Sequence, residues 1–156
     1  MIIKSKKLID GVYSLYFKNY NLSGLKNIDK SILKFHLSEI ASYLNLKIID
    51  FDVWNDNLIK QDNKVIFDWH NDMSDKIDTL LLIYFTDKVL NEKTGGRIVF
   101  KHNNIEKMYN IKSGRCFLVR QDKDHLHKVE AAKLIFKDRI CISVSLSGWK
   151  DLVINE

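Results

Sequence analysis

Phe67-Asp68-Trp69-His70-Asn71-Asp72 places an imidazole and a carboxylate two residues apart, just after an apolar and aromatic start. Read as a strand, in which successive side chains alternate between faces, His70 and Asp72 point to the same side. A second imidazole from a distant strand would complete a two-histidine, one-carboxylate face, the donor set that holds Fe(II) and leaves positions open to other ligands. His-x-Asp by itself is weak: five His and fifteen Asp in 156 residues generate one by chance in about every second such sequence. The motif gains force from the rest of the chain.

Downstream the chain reads as β throughout. Asp78 to Thr86 contains Leu80-Leu81-Leu82-Ile83-Tyr84-Phe85, an apolar run without alternation, as in a strand buried on both sides. Asn91-Glu92-Lys93-Thr94-Gly95-Gly96 is turn chemistry, its glycines supplying positive φ. Short strands are predicted near 97–101, 107–111, 115–120, 126–131 and 138–147, separated by Gly or polar residues. Many short strands with no helix between them predict a sandwich or jelly roll and argue against a parallel sheet.

Upstream, residues 1–20 alternate in pieces, consistent with a strand or hairpin turning at Gly11. Asn27 or Asp29 can cap a helix over 28–44, because Ile28, Ile32, Leu33, Leu37, Ile40, Ala41 and Leu44 recur at three- and four-residue intervals. That stripe predicts one amphipathic helix packed on the outside of a sheet, with His36 partly exposed beside it. Lys47 to Trp54 then returns to strand periodicity, and Val65 to Asp72 follows a polar loop.

The whole fits a single domain, 1–156, with 1–46 as strand and helix support and 47–156 as the core. The sequence is 46% hydrophobic and 29% charged, as in an ordinary globular protein. No run of about eighteen apolar residues exists, so no membrane helix is expected. With no secretory pattern at Met1 to Lys7, a cytoplasmic location is the expectation. Cys116 and Cys141 sit in apolar runs and read as buried, reduced thiols. The net charge of +5 is dispersed along the chain, which argues against a nucleic-acid partner. Of the 25 basic residues only four are Arg; each reads as selected for its planar fork, Arg139 above all.

The ordered set of His70-x-Asp72, the long apolar strand, Gly95-Gly96-Arg97, Ser113-Gly114-Arg115, His127-Lys128-Val129 and Arg139 leading to Ser147-Gly148-Trp149 resembles the Fe(II)- and 2-oxoglutarate-dependent oxygenases. Within them it is similar to the prolyl-4-hydroxylase-like group, and the likeness covers about Phe67 to Trp149. The resemblance implies a mainly β (α+β) fold, a double-stranded β-helix (jelly roll, cupin-like) with the N-terminal helix packed on its sheet.

It also implies roles. His70 and Asp72 match the family's His-x-Asp. The third ligand has two local candidates, His125 and His127, which share a strand face; His127 is preferred because His-Lys-Val resembles the family's His-x-Val. His125 then falls at the rim or behind the ligands, and His102 reads as a loop residue. Arg139, twelve residues after His127, matches the cation that meets the far carboxylate of 2-oxoglutarate. Tyr84 matches the tyrosine that shares this carboxylate, and Ser143, with Ser145, could add hydroxyls along the strand. Two features depart from the pattern: the Trp54 to Asn63 region lacks the family's Tyr-x-x-Gly, and Trp149 lies far beyond Arg139. The activity implied uses Fe(II), 2-oxoglutarate and O2 to hydroxylate a peptidyl residue while 2-oxoglutarate decarboxylates to succinate. A free amino acid or other small molecule is the alternative substrate, and a non-catalytic metal- or ligand-binding jelly roll is the alternative class.

Overall fold

Leu80 to Phe85 lies at the centre of the molecule, buried along its whole length. The structure, a computed structural model, describes residues 2–18, 29–55, 67–133 and 139–148. Expectations for Ile28, for the side chains of the wall at 54–63 and for Trp149 fall outside the described residues.

Among the described residues, ten strands and one helix follow in order: β1 (Ile2–Ile9), β2 (Val12–Lys18), α1 (Lys30–Tyr43), β3 (Lys47–Asn55), β4 (Phe67–His70), β5 (Thr79–Thr86), β6 (Ile98–His102), β7 (Ile105–Tyr109), β8 (Arg115–Arg120), β9 (His125–Val129) and β10 (Arg139–Ser147). They form a six-stranded sheet, β1-β2-β8-β5-β10-β3, and a four-stranded sheet, β4-β9-β6-β7. All of the pairings are antiparallel. Two facing antiparallel sheets, with one helix on the outside, are the jelly roll expected from the strand spacing.

Alternation along β5 divides the interior in two. Leu81, Ile83 and Phe85 join Leu33, Leu37, Ile40 and Ala41 of α1 in one core, between helix and large sheet. Leu80, Leu82 and Tyr84 join Ile98, Phe100, Phe117 and Cys141 in the other, between the sheets. Both faces of β5 are covered, and this is why its run from Leu80 to Phe85 shows no period of two.

α1 begins where Asp29 accepts hydrogen bonds from the Ser31 amide at 2.8 Å and the Ile32 amide at 3.2 Å, which satisfies two otherwise unpaired donors. Ile32, read as part of the buried stripe, is 52% exposed; the inward face is narrower than the periodicity suggested. The hairpin β1–β2 turns at Gly11, with φ +70. It is an integral part of the large sheet, since β2 pairs with β8.

Candidate metal centre

The site lies between the sheets. His70, the last residue of β4, is the register partner of His127 on β9, so the two rings come within 4.2 Å, centroid to centroid. On β9 the residues His125, His127 and Val129 are buried and alternate with the half-buried Leu126 and Lys128, so His127 points inward. Its Nε2 is 3.6 Å from Oδ2 of Asp72. One donor atom from each of His70, Asp72 and His127 lies within 4.8 Å of the others.

Asp72 reaches the cluster differently from the way its spacing predicts. β4 ends at His70, so strand alternation does not extend to residue 72. The carboxylate is delivered by the loop after the strand. Within that loop the amide of Met73 donates to Oδ1 of Asn71 at 3.3 Å, and Nδ2 of Asn71 donates to the carbonyl of Asp122 at 3.3 Å.

The electrostatics are not those of an ion pair. Burial lowers the pKa of His127 from 6.5 to about 3, with His70 adding to the shift, so the imidazole is neutral and keeps a lone pair. Burial also raises the Asp72 carboxyl above its ordinary value, against a smaller pull downward from His70. An ion pair would shift both groups the other way. Oδ2 of Asp72 and Nδ1 of His127 are buried with no hydrogen-bond partner among the described residues. His70 is oriented from behind: its Nδ1 donates to the carbonyl of Asp68 at 2.6 Å, which fixes the orientation of the ring. Two imidazoles and a carboxylate are the donor chemistry that a divalent first-row metal takes.

A narrow cavity opens beside these groups and is lined by His70, Leu82, Tyr84, His127, Val129, Arg139 and Cys141. Arg139 is 1% exposed, and its guanidinium carbon lies 5.1 Å from the centroid of the Tyr84 ring. Arg139 pairs across the ladder with Thr86, and Cys141 with Tyr84; the cation and the phenol therefore come from adjacent strands of the large sheet. Burial pushes the Tyr84 phenol well above its ordinary pKa, so its hydroxyl keeps its proton as a donor. Ser143 is buried, further along β10, and is not among the cavity's lining residues.

The remaining histidines have other employment. His125 is 2% exposed, with Nδ1 2.6 Å from Oδ1 of Asp122 and Nε2 2.9 Å from the Asp10 carbonyl. Both nitrogens are committed to the β1–β2 turn and the β8–β9 loop. His102 is the last residue of β6, not a loop residue, and its ring stacks on His125 at 4.0 Å. His36 sits on α1, 3.5 Å from Glu39.

The sequence pattern gave no sign of Gln121, 5% exposed, whose Oε1 accepts from the Asp72 amide at 2.8 Å. A lone glutamine after a strand carries no motif. Its one signal is its place directly after β8, one residue beyond that strand's buried run, where a buried uncharged polar residue has to find internal partners.

No family model matches the chain, and no curated protein matches its sequence. Solved structures do match. A prolyl 4-hydroxylase from Phytophthora capsici aligns at TM-score 0.55 and 16% identity, over 90% of this chain and 49% of that one. One from Pseudomonas putida aligns at TM-score 0.59 and 12% identity, over 88% and 84%. A prolyl hydroxylase in complex with a hypoxia inducible factor oxygen degradation domain peptide fragment, from Trichoplax adhaerens, aligns at 0.56 and 15%, over 86% and 63%. The chain spans about half the length of the first of these. Across 86–90% of its residues, it has the jelly-roll fold of the prolyl 4-hydroxylases.

Proposed function

We propose that the protein is an Fe(II)- and 2-oxoglutarate-dependent dioxygenase that hydroxylates a peptidyl residue and converts 2-oxoglutarate to succinate and carbon dioxide. The observation that carries the reading is the meeting of His70, Asp72 and His127 within 4.8 Å, at a cavity also lined by the buried Arg139. A jelly roll used only for packing would need neither the three converging donors nor an arginine in that position, since burying a guanidinium is costly.

In this reading His70, Asp72 and His127 hold the iron, which supplies the oxygen chemistry once bound. The chain's own residues bind and orient. Arg139 receives the far carboxylate of 2-oxoglutarate through charge-assisted hydrogen bonds, and the Tyr84 hydroxyl donates to the same group. Leu82, Val129 and Cys141 line the space between and exclude water from the cosubstrate's carbon chain. The Asp68 carbonyl holds the His70 ring in one orientation. The presence of Asp72 favours hydroxylation, because a site that delivers halide needs the carboxylate's place. Support for a peptide substrate comes from the Trichoplax adhaerens neighbour, solved with a peptide fragment. Among the described residues no helix is long and apolar enough to cross a membrane, and the site needs none; a cytoplasmic location is part of the same proposal.

Anaerobic addition of Fe(II) and then 2-oxoglutarate tests it. The expected result is a weak visible charge-transfer band, followed in air by succinate formation that rises when the correct member of a peptide or amino-acid pool is present. No band and no succinate would leave a metal- or ligand-binding jelly roll without turnover.

A further inference from the structure

We propose that Gln121 is a positioning residue for the metal site, setting the Asp72 carboxylate through that residue's backbone amide. The inference rests on the reading that His70, Asp72 and His127 bind a divalent metal. The ladder between β4 and β9 ends at the pair His70↔His127, so the backbone at residue 72 has no strand partner to fix it. Gln121 supplies one: its Oε1 accepts from the Asp72 amide at 2.8 Å.

The glutamine is itself immobilised from three directions. Its Nε2 donates to the carbonyls of Val119 and Arg120, at 3.2 Å each, and its own amide donates to the carbonyl of Asp78 at 2.8 Å. With Nε2 facing two carbonyls, only Oε1 can face the Asp72 amide, so the orientation of the side-chain amide is dictated by its partners. A buried side chain with every polar group used is a rigid strut. The neighbouring bond from Asn71 to the Asp122 carbonyl ties the same two loops a second time, one residue away. The carboxylate is thus placed by the β8–β9 loop, whereas the two imidazoles are placed by the sheet. Groups that orient a ligand from behind typically change metal affinity by about 10–100-fold when removed.

Mn(II) affinity, measured by titration calorimetry on the full chain, tests the proposal, with folding checked by circular dichroism. Gln121→Met keeps the volume and removes both polar ends; it is expected to bind Mn(II) about 10–100-fold more weakly than the parent. In an Asp72→Ala background the same substitution is expected to change affinity by no more than about twofold, because the residue it acts through is gone. Should Gln121→Met fail to fold, Gln121→Asn, a methylene shorter and out of reach of the Asp72 amide, reads the same loss. Parent-like affinity in the folded variant overturns the proposal, and so does an undiminished loss in the Asp72→Ala background, which would mark a general structural effect. A parent chain that does not bind Mn(II), or that binds it equally well with Asp72→Ala, overturns the metal-site reading beneath the proposal and is told apart by leaving Gln121 untouched.

Discussion

Among the described residues, Arg139 is the largest of the side chains almost wholly removed from solvent. It is expected to contribute through a cosubstrate anion. Arg139→Ala should weaken 2-oxoglutarate binding by about 2–3 kcal/mol while leaving metal affinity unchanged, because it deletes one charge-assisted pair and no metal donor. Anaerobic titration of the metal-loaded protein measures both, and equal cosubstrate affinity in the variant would refute the assignment. Two histidines on one strand face should separate in the same way: His127→Ala is expected to abolish Mn(II) binding, and His125→Ala to preserve it at some cost in stability, since both His125 nitrogens are bonded elsewhere. At this scale the sequence was legible where a residue's type suggested which side chains would meet: His70 and His127 do converge, and Arg139 lines the same cavity. It was legible for the wrong reason at Asp72, where a loop tether and not strand alternation brings the carboxylate in. It was silent at Gln121, whose importance comes entirely from three-dimensional neighbours.

Two joints between elements carry more than their length suggests. At Gly11, φ is +70 and a Cβ would stand 2.3 Å from Nε2 of His125; the ring is held by bonds at both nitrogens and has nowhere to go. Gly11→Ala should therefore cost about 2–3 kcal/mol, read as a lowered denaturation midpoint. Arg97, just before β6, grips Glu130, just after β9, with two hydrogen bonds of 2.8 Å. The paired guanidinium holds the Glu130 carboxyl below its ordinary value of 4.5. A depressed carboxyl contributes stability that is complete above the unfolded value and is lost as pH falls through the lower, folded one. Melting temperatures taken from pH 6 down to about 3 should show that loss, worth roughly 1–2 kcal/mol, and Glu130→Gln should remove this part of the acid dependence. Strand positions were readable from the chain because turns there are written in Gly, Asn and Asp. Their ends were less so: β4 stops two residues short of the periodic pattern, although its partner β9 runs on to His125 against β6.

For the molecule as a whole, the cost of keeping three donors together, one buried and two half-buried, should be relieved by a cation. Saturating Mn(II) is expected to raise the thermal midpoint by several degrees and excess chelator to reverse it, corresponding to about 3 kcal/mol at a hundredfold excess over the dissociation constant; no shift would count against the site. The overall architecture was legible because many short strands and one helix admit few packings, a sandwich or a jelly roll, and the family resemblance of the motifs implied which. The division of the interior by β5 has a further result. Leu81, Ile83 and Phe85 serve the helix layer, while Leu80, Leu82 and Tyr84 face the opposite sheet. A single strand is thus a party wall between two tenants: substitutions on the odd-numbered side can erode or improve durability while the chamber on the other side keeps its lining, so robustness and chemistry are free to evolve on separate schedules.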